Sequence, residues 1–252
     1  MMNEERRNAG IIQKSLEVLG FNQLGDRIGR SISSSPGDDA LASIALEFSM
    51  FSEDFHSAKV QRLLKQSRIP EKSLLENLLT YKERQLDIEL INDLGELHFI
   101  KEHSNIILWG APGTGKTWLA EALATRACQN GIRTRWISFP VLYRDLERKM
   151  MEGQKALDSR FLYYSRFPLL CIDEFPNIKI KDSFIIQEFF VTRCSKNSMV
   201  STIVCGQSSP ETWPQLFTVT SFGESIRGRL LEKGKIIEIK DPDLRLFKPG
   251  AD

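Results

Sequence analysis

A chain of 252 residues with 41% apolar and 27% charged side chains can fill one large α/β domain, or one ordinary domain with a smaller appendage. Its 34 basic and 33 acidic residues leave a formal charge of +1, so overall charge does not point to a nucleic-acid partner, and only a local basic stripe would. The 4 cysteines form no CxxC pair and there are only 3 histidines, which argues against a zinc site and against a disulfide framework.

No targeting segment is evident after the charged stretch Met1–Arg7. The longest apolar runs, Ile106–Trp109 and Phe167–Ile172, are too short to span a bilayer, so a cytoplasmic protein with no membrane partner is expected.

The first part of the chain reads as helical. Leu16, Leu19, Phe21 and Leu24 lie in one amphipathic segment, followed by a polar break at Ser31–Asp39. Asp38 or Asp39 is placed to cap a second helix carrying Leu41, Ile44, Ala45, Phe48 and Phe51 on its apolar face. A third helix is expected over 54–67, closed by Pro70. On it Lys59, Arg62, Lys65 and Arg68 recur every three residues with no acid between Phe55 and Pro70, which makes one basic stripe. Such a stripe suits contacts to DNA phosphates that are largely independent of base sequence. Residues 71–104 read as further helix and linker. The expected domains are a helical 1–95, for DNA or partner binding, and an α/β 96–252.

From Asn105 the pattern changes to strands alternating with helices, which predicts a parallel sheet covered on both faces. Strands are expected at Asn105–Trp109, Thr134–Ser138, Leu169–Ile172, Ser201–Cys205 and Lys235–Ile239. Helices are expected after the first strand to about Asn130, over Val141–Gln154 and Ser183–Lys196, and at Gly223–Lys233, with short helix or loop at Thr212–Phe217.

Gly110-Ala111-Pro112-Gly113-Thr114-Gly115-Lys116-Thr117 matches the Walker A phosphate loop in full, with an apolar strand before it and a helix after it. Glycines let successive N–H groups converge on an anion, and the following helix adds its dipole. Lys116 is the residue expected at the β- and γ-phosphates of ATP, and the Thr117 hydroxyl at Mg2+. Further along, the strand Leu169–Ile172 runs into Asp173 and Glu174, the form of a Walker B element. Asp173 is expected to serve the metal, and Glu174 to act as general base toward water. If the strand Ser201–Cys205 lies between these two, Gln207 just beyond it faces the γ-phosphate or the lytic water.

These elements, in this order, resemble the AAA+ superfamily. Within it the chain is similar to the IstB-like transposition helpers, which are related to the DnaC-type helicase loaders. The likeness rests on Gly110–Thr117 with Trp118-Leu119-Ala120 after it, on Leu169–Glu174, on Ser201-Thr202-Ile203, on Trp213-Pro214-Gln215-Leu216-Phe217, on Ile226-Arg227-Gly228-Arg229-Leu230, and on the basic segment Arg62–Pro70. The resemblance implies a five-stranded AAA+ core behind a small helical domain. It also implies an ATPase that forms a homo-oligomer with ATP on duplex DNA and serves a transposase, or alternatively a replicative helicase. A third reading is a regulatory switch that binds ATP and barely hydrolyses it. The nucleotide-binding set it implies is Gly110–Thr117 with Trp118. The arginine finger it implies is Arg229, with Arg227 as the alternative, and Arg245 matches a last family arginine. Three positions depart from the family pattern. Gln207 replaces an asparagine and is one methylene longer, Trp118 stands where histidine is frequent, and Leu231 where a basic residue is frequent.

Overall fold

The computed structural model describes residues 2–18, 20–34, 39–78, 87–176, 180, 182–195 and 198–246. Packing divides the chain into two compact units, Met1–Gln61 and Arg62–Asp252. The division falls upstream of residue 95 because residues 66–76 are bonded to the helices and strands of the second unit. The Gln66 carbonyl accepts from Arg135, Ser73 donates to Glu121, and Glu76 pairs with Arg126 at 2.6 Å.

The first unit contains α1 (Met2–Val18), α2 (Asn22–Ser34) and most of α3 (Asp39–Ser67). The single segment expected around Leu16–Leu24 is two helices, separated at Gly20, whose N–H returns to the Glu17 carbonyl. Leu16, Leu24 and Ile28 are buried, with Ile12, Phe21, Ile44 and Phe51 packed against them. Leu19 and Asp38 lie outside the described residues. The second and third expected helices are one continuous α3. On its surface Asp54 joins Glu47 in pairing with Arg27. Phe48 is 42% exposed, so the apolar face is narrower than its spacing implied. Arg68 is not on the helix. It leaves α3 in the left-handed region at φ 60, beside Ser67, whose hydroxyl bonds the Leu64 carbonyl and accepts from the Ile69 N–H.

The second unit opens with a short 3-10 turn at Leu75–Asn77, α4 (Ile88–Gly95) and α5 (His98–Lys101). Asp87 caps α4 by accepting from the N–H groups of Glu89 and Leu90. The alternating elements come next: β1 (Asn105–Trp109), α6 (Lys116–Gln129), β2 (Thr134–Ser138), α7 (Phe139–Met151), α8 (Gln154–Ser165), β3 (Leu169–Asp173), α9 (Ser183–Arg193), β4 (Ser201–Gly206), α10 (Thr220–Glu232) and β5 (Gly234–Glu238). Helix α8 was not expected; the predicted helix at Val141–Gln154 ends at Met151 and a new one starts at Gln154. Thr212–Phe217 falls in a 3-10 helix, Pro210–Leu216.

The five strands form one parallel sheet in the order β2-β3-β4-β1-β5. Strand β4 therefore does lie between the phosphate-loop strand and the strand ending in Asp173. The central strands are buried on both faces, as near-continuous apolar runs require. Ile107, Ile172 and Val204 pack with Phe139, Phe175 and Trp213 in the main core. Trp213 is fully buried 4.7 Å from the Phe175 ring and donates to the Ser208 carbonyl, so the Trp-Pro-Gln-Leu-Phe stretch is a core element.

Arg193 is also fully buried, with no carboxylate partner among the described residues. Its guanidinium donates to the carbonyls of Tyr164, Phe167 and Ser201 and to the Thr202 hydroxyl, tying α9 to β4 and to the turn before β3. Burial brings its pKa down to about 10. Among the described residues, no helix is long and apolar enough to cross a membrane.

Candidate functional site

In a parallel sheet all C-terminal strand ends share one edge, and loops from those ends converge there. Strand β1 delivers the loop Gly110–Gly115 to this edge, and α6 begins at Lys116. The backbone explains the glycines. Gly113 has φ 80, and a Cβ there would fall on the Asp243 carboxylate. Gly110 has φ 148, and its Cβ would meet the Ile239 carbonyl.

Lys116 is only 8% exposed. Its Nζ donates to the Ala111 carbonyl at 2.5 Å and lies 3.3 Å from the Thr114 hydroxyl. Burial lowers its pKa, while the Asp173 carboxylate acts the other way. A buried ammonium held only by neutral oxygens inside a loop of converging N–H groups is an anion receptor. Thr117 Oγ1 donates to Asp173 Oδ1 at 3.3 Å. Burial pushes the Asp173 carboxyl up, and the Glu174 N–H and the Thr117 hydroxyl pull it back. A hydroxyl and a half-buried carboxylate beside a phosphate receptor are the donor set that a magnesium–triphosphate needs. The residues present therefore fit that group.

Glu174 follows β3 in the left-handed region at φ 58, with its side chain exposed and its N–H donated to Asp173 Oδ1 at 2.9 Å. A non-glycine residue in this region costs about 1 kcal/mol or more, so the surroundings must hold it. The Phe175 N–H does so by bonding the Cys205 carbonyl at 2.8 Å. Gln207 is exposed just beyond β4. Because Trp109 pairs with Gly206, Gln207 emerges next to Gly110. Trp118 is half-buried on the first turn of α6.

Other expected residues lie elsewhere. Arg229 bonds Ser225 of its own helix and lines a cavity with Asn105, Cys194, Glu232 and Lys233. Asn105 opens β1 and Lys233 precedes β5, so Arg229 stands at the N-terminal edge of the sheet, opposite the phosphate loop. Arg227 lies 3.7 Å from Glu211. Lys59, Arg62, Lys65 and Arg68 are all exposed; Lys59 belongs to the first unit and the other three to the second.

Asp243 was not anticipated at all. The segment after β5 returns across the phosphate loop, where the Leu244 N–H bonds the Gly113 carbonyl at 3.0 Å. Asp243 is held there by Arg245 at 2.5 Å, which keeps its carboxyl below the ordinary range. No sequence signal marks it, because its position depends on the path of the C-terminal segment.

The fold and site define a P-loop nucleotide-binding domain of the AAA+ class. The central placement of β4, between the strands that carry the phosphate loop and the acidic pair, is part of that definition. The chain belongs to the family of IstB-like ATP binding proteins, whose sequence profile matches residues 45–249. It is 22% identical over 236 residues to the ATP-binding protein of insertion sequence IS232 from Bacillus thuringiensis subsp. berliner, covering 92% of each chain. It is 27% identical over 193 residues to that of IS21 from Pseudomonas aeruginosa, covering 76% of this chain and 71% of the other. Among solved structures, the DnaC helicase loader superposes with a TM-score of 0.51 at 24% identity, covering 61% of this chain and 88% of that one, a likeness of fold.

Proposed function

We propose that this protein is an ATPase that assembles with ATP into a homo-oligomer on duplex DNA and assists the transposase of an insertion sequence. The second unit performs the ATPase chemistry, and the helical first unit meets DNA or the partner. The observation that carries the reading is the separation of Arg229 from its own phosphate loop by the full length of the sheet. One chain cannot bring them together, so Arg229 acts on the nucleotide of a neighbouring copy. Arg227, already beside Glu211, is the weaker choice.

Within one chain, Gly110–Thr117 cradle the phosphates, with Trp118 on the adjoining helix face. Lys116 swings from the Ala111 carbonyl to the β- and γ-phosphates. Thr117 and Asp173 hold Mg2+, which when bound neutralises phosphate charge. Glu174 orients and deprotonates the attacking water, and Gln207 steadies it from the neighbouring strand. Lys59, Arg62, Lys65 and Arg68 supply phosphate contacts to DNA. The insertion-sequence names of the relatives support a transposase rather than a replicative helicase as the partner, since the loader likeness is one of fold.

The test is ATP turnover and particle size, each with and without duplex DNA. Turnover stimulated by DNA, together with particles that grow only with ATP, is expected. A monomer that hydrolyses ATP at the same rate with or without DNA would overturn the reading.

A further inference from the structure

Where the second unit exposes the edge of its sheet, cations collect from segments far apart in the sequence. Arg62, Lys65 and Arg68 come from the end of α3 and its turn. Arg133 and Arg135 come from the approach to β2 and from β2 itself, and Arg166 from the turn before β3. Together they line a groove of 690 Å³. Among the described residues lining it, none is acidic, and none of the six cations forms an ion pair with a carboxylate.

Arg135 is the telling member. It is 7% exposed, its Nη1 donates to the Gln66 carbonyl, and its Nε is buried with no hydrogen-bond partner. Burial, followed by the nearby charge of Arg68, weakens its hold on its proton. An unpaired guanidinium withdrawn from water among like charges is costly unless an anion completes it. A second groove of 720 Å³ shares Arg68, Arg135 and Tyr163 and continues past Arg144, Arg148 and Arg160. Its one acid, Asp145, is taken up by Arg148 at 2.7 Å, Arg160 at 3.3 Å and the Tyr164 hydroxyl at 2.9 Å.

We propose that this groove along the β2 edge of the ATPase unit is a binding site for the phosphate backbone of duplex DNA. The proposal rests on the DNA-bound reading above and extends the contact from Arg62, Lys65 and Arg68 to Arg133, Arg135 and Arg166. Duplex is favoured over single strand by the aromatic rings. Bases of a single strand stack on open ring faces. Here Arg133 lies over the Phe167 ring at 4.7 Å and Arg160 over the Tyr163 ring at 5.3 Å, so the faces are already covered and cations are presented instead. Arg133 is further steadied by its bond to the Arg166 carbonyl at 2.8 Å, which fixes that arm of the groove before any ligand arrives.

The experiment measures duplex-DNA affinity of the full chain by fluorescence anisotropy across a salt series, with ATP present. The variant is Arg133→Glu with Arg166→Glu, both remote from the phosphate loop, and Lys101→Glu, with half that change in charge, is the control for negative charge placed elsewhere on the surface. The double variant is expected to bind DNA at least tenfold more weakly. Its log K against log salt should flatten by about 2, from two lost phosphate contacts. Its ATP binding should be unchanged, and Lys101→Glu should stay within about twofold of wild type. Wild-type binding to DNA with an unaffected double variant would overturn the groove and leave the DNA reading standing. Absence of any wild-type binding would overturn both. A single strand displacing the duplex at lower concentration would overturn the choice of duplex.

Discussion

The two edges of the sheet are built differently. At the C-terminal edge, the phosphate loop, Asp173, Glu174 and Gln207 come from three adjacent strands, and each is placed by the strand it follows. At the N-terminal edge, Arg229 lines a cavity with Asn105, Glu232 and Lys233, away from the phosphate loop. One edge holds a nearly complete site, and the other carries the arginine proposed to complete the site of another copy. On the proposed reading, binding is a property of one chain and turnover a property of two.

That contrast breaks most sharply at the C-terminal edge. Lys116→Ala should abolish ATP binding, whereas Glu174→Gln should bind ATP normally and lose turnover by about 10²–10⁴-fold, the usual contribution of a general base. Nucleotide titration beside a turnover assay separates the two, and a Glu174→Gln protein with wild-type turnover would remove Glu174 from the mechanism.

A smaller effect is expected on α6, the helix that carries Lys116. Glu121 is 4% exposed there, accepting a bond from Ser73, and burial raises its pKa to about 6 from an ordinary 4.5. A carboxyl whose folded pKa is raised favours the native state below the unfolded pKa. That contribution is lost as pH rises from 4.5 through 6. Glu121→Gln, still able to meet Ser73, should therefore stabilise the protein above that range by about 1–2 kcal/mol and make no difference near pH 4. Thermal melts at both pH values check the sign.

The smallest effect belongs to Asp243, a negative charge resting on the loop that receives phosphates. Asp243→Asn should tighten ATP binding by about threefold to tenfold at low salt, with the gain shrinking as salt screens it. Unchanged affinity at low salt would mean that the segment swings clear of the loop when nucleotide arrives.

Much of the C-terminal edge was legible because its chemistry is written in short contiguous runs. The strand, loop and helix around Gly110–Thr117 and the apolar strand ending in Asp173 and Glu174 carry their own local signals. Strand order was legible only as a condition on Gln207, since nothing local says which strands are neighbours. The features that escaped depend on tertiary context. Arg193 has the pattern of a surface residue in a last helical turn, yet it is the buried tie between α9, β4 and the turn before β3. Helix α8 buries only Leu157, Phe161 and Tyr164 and leaves Leu162 and Tyr163 exposed, so its periodicity is faint. The basic groove draws on residues 62–68, 133–135 and 166, a proximity that only the fold creates.

The central claim is that a site on one chain is completed by Arg229 of another. The most direct measurement mixes two inactive proteins, Arg229→Ala and Glu174→Gln, and follows ATP turnover. Each alone should fall by about 10²-fold or more. The mixture should recover turnover, because a Glu174→Gln subunit can lend its Arg229 to the intact C-terminal edge of an Arg229→Ala subunit. A mixture as inactive as its parents, or an Arg229→Ala protein with wild-type turnover, would contradict the account.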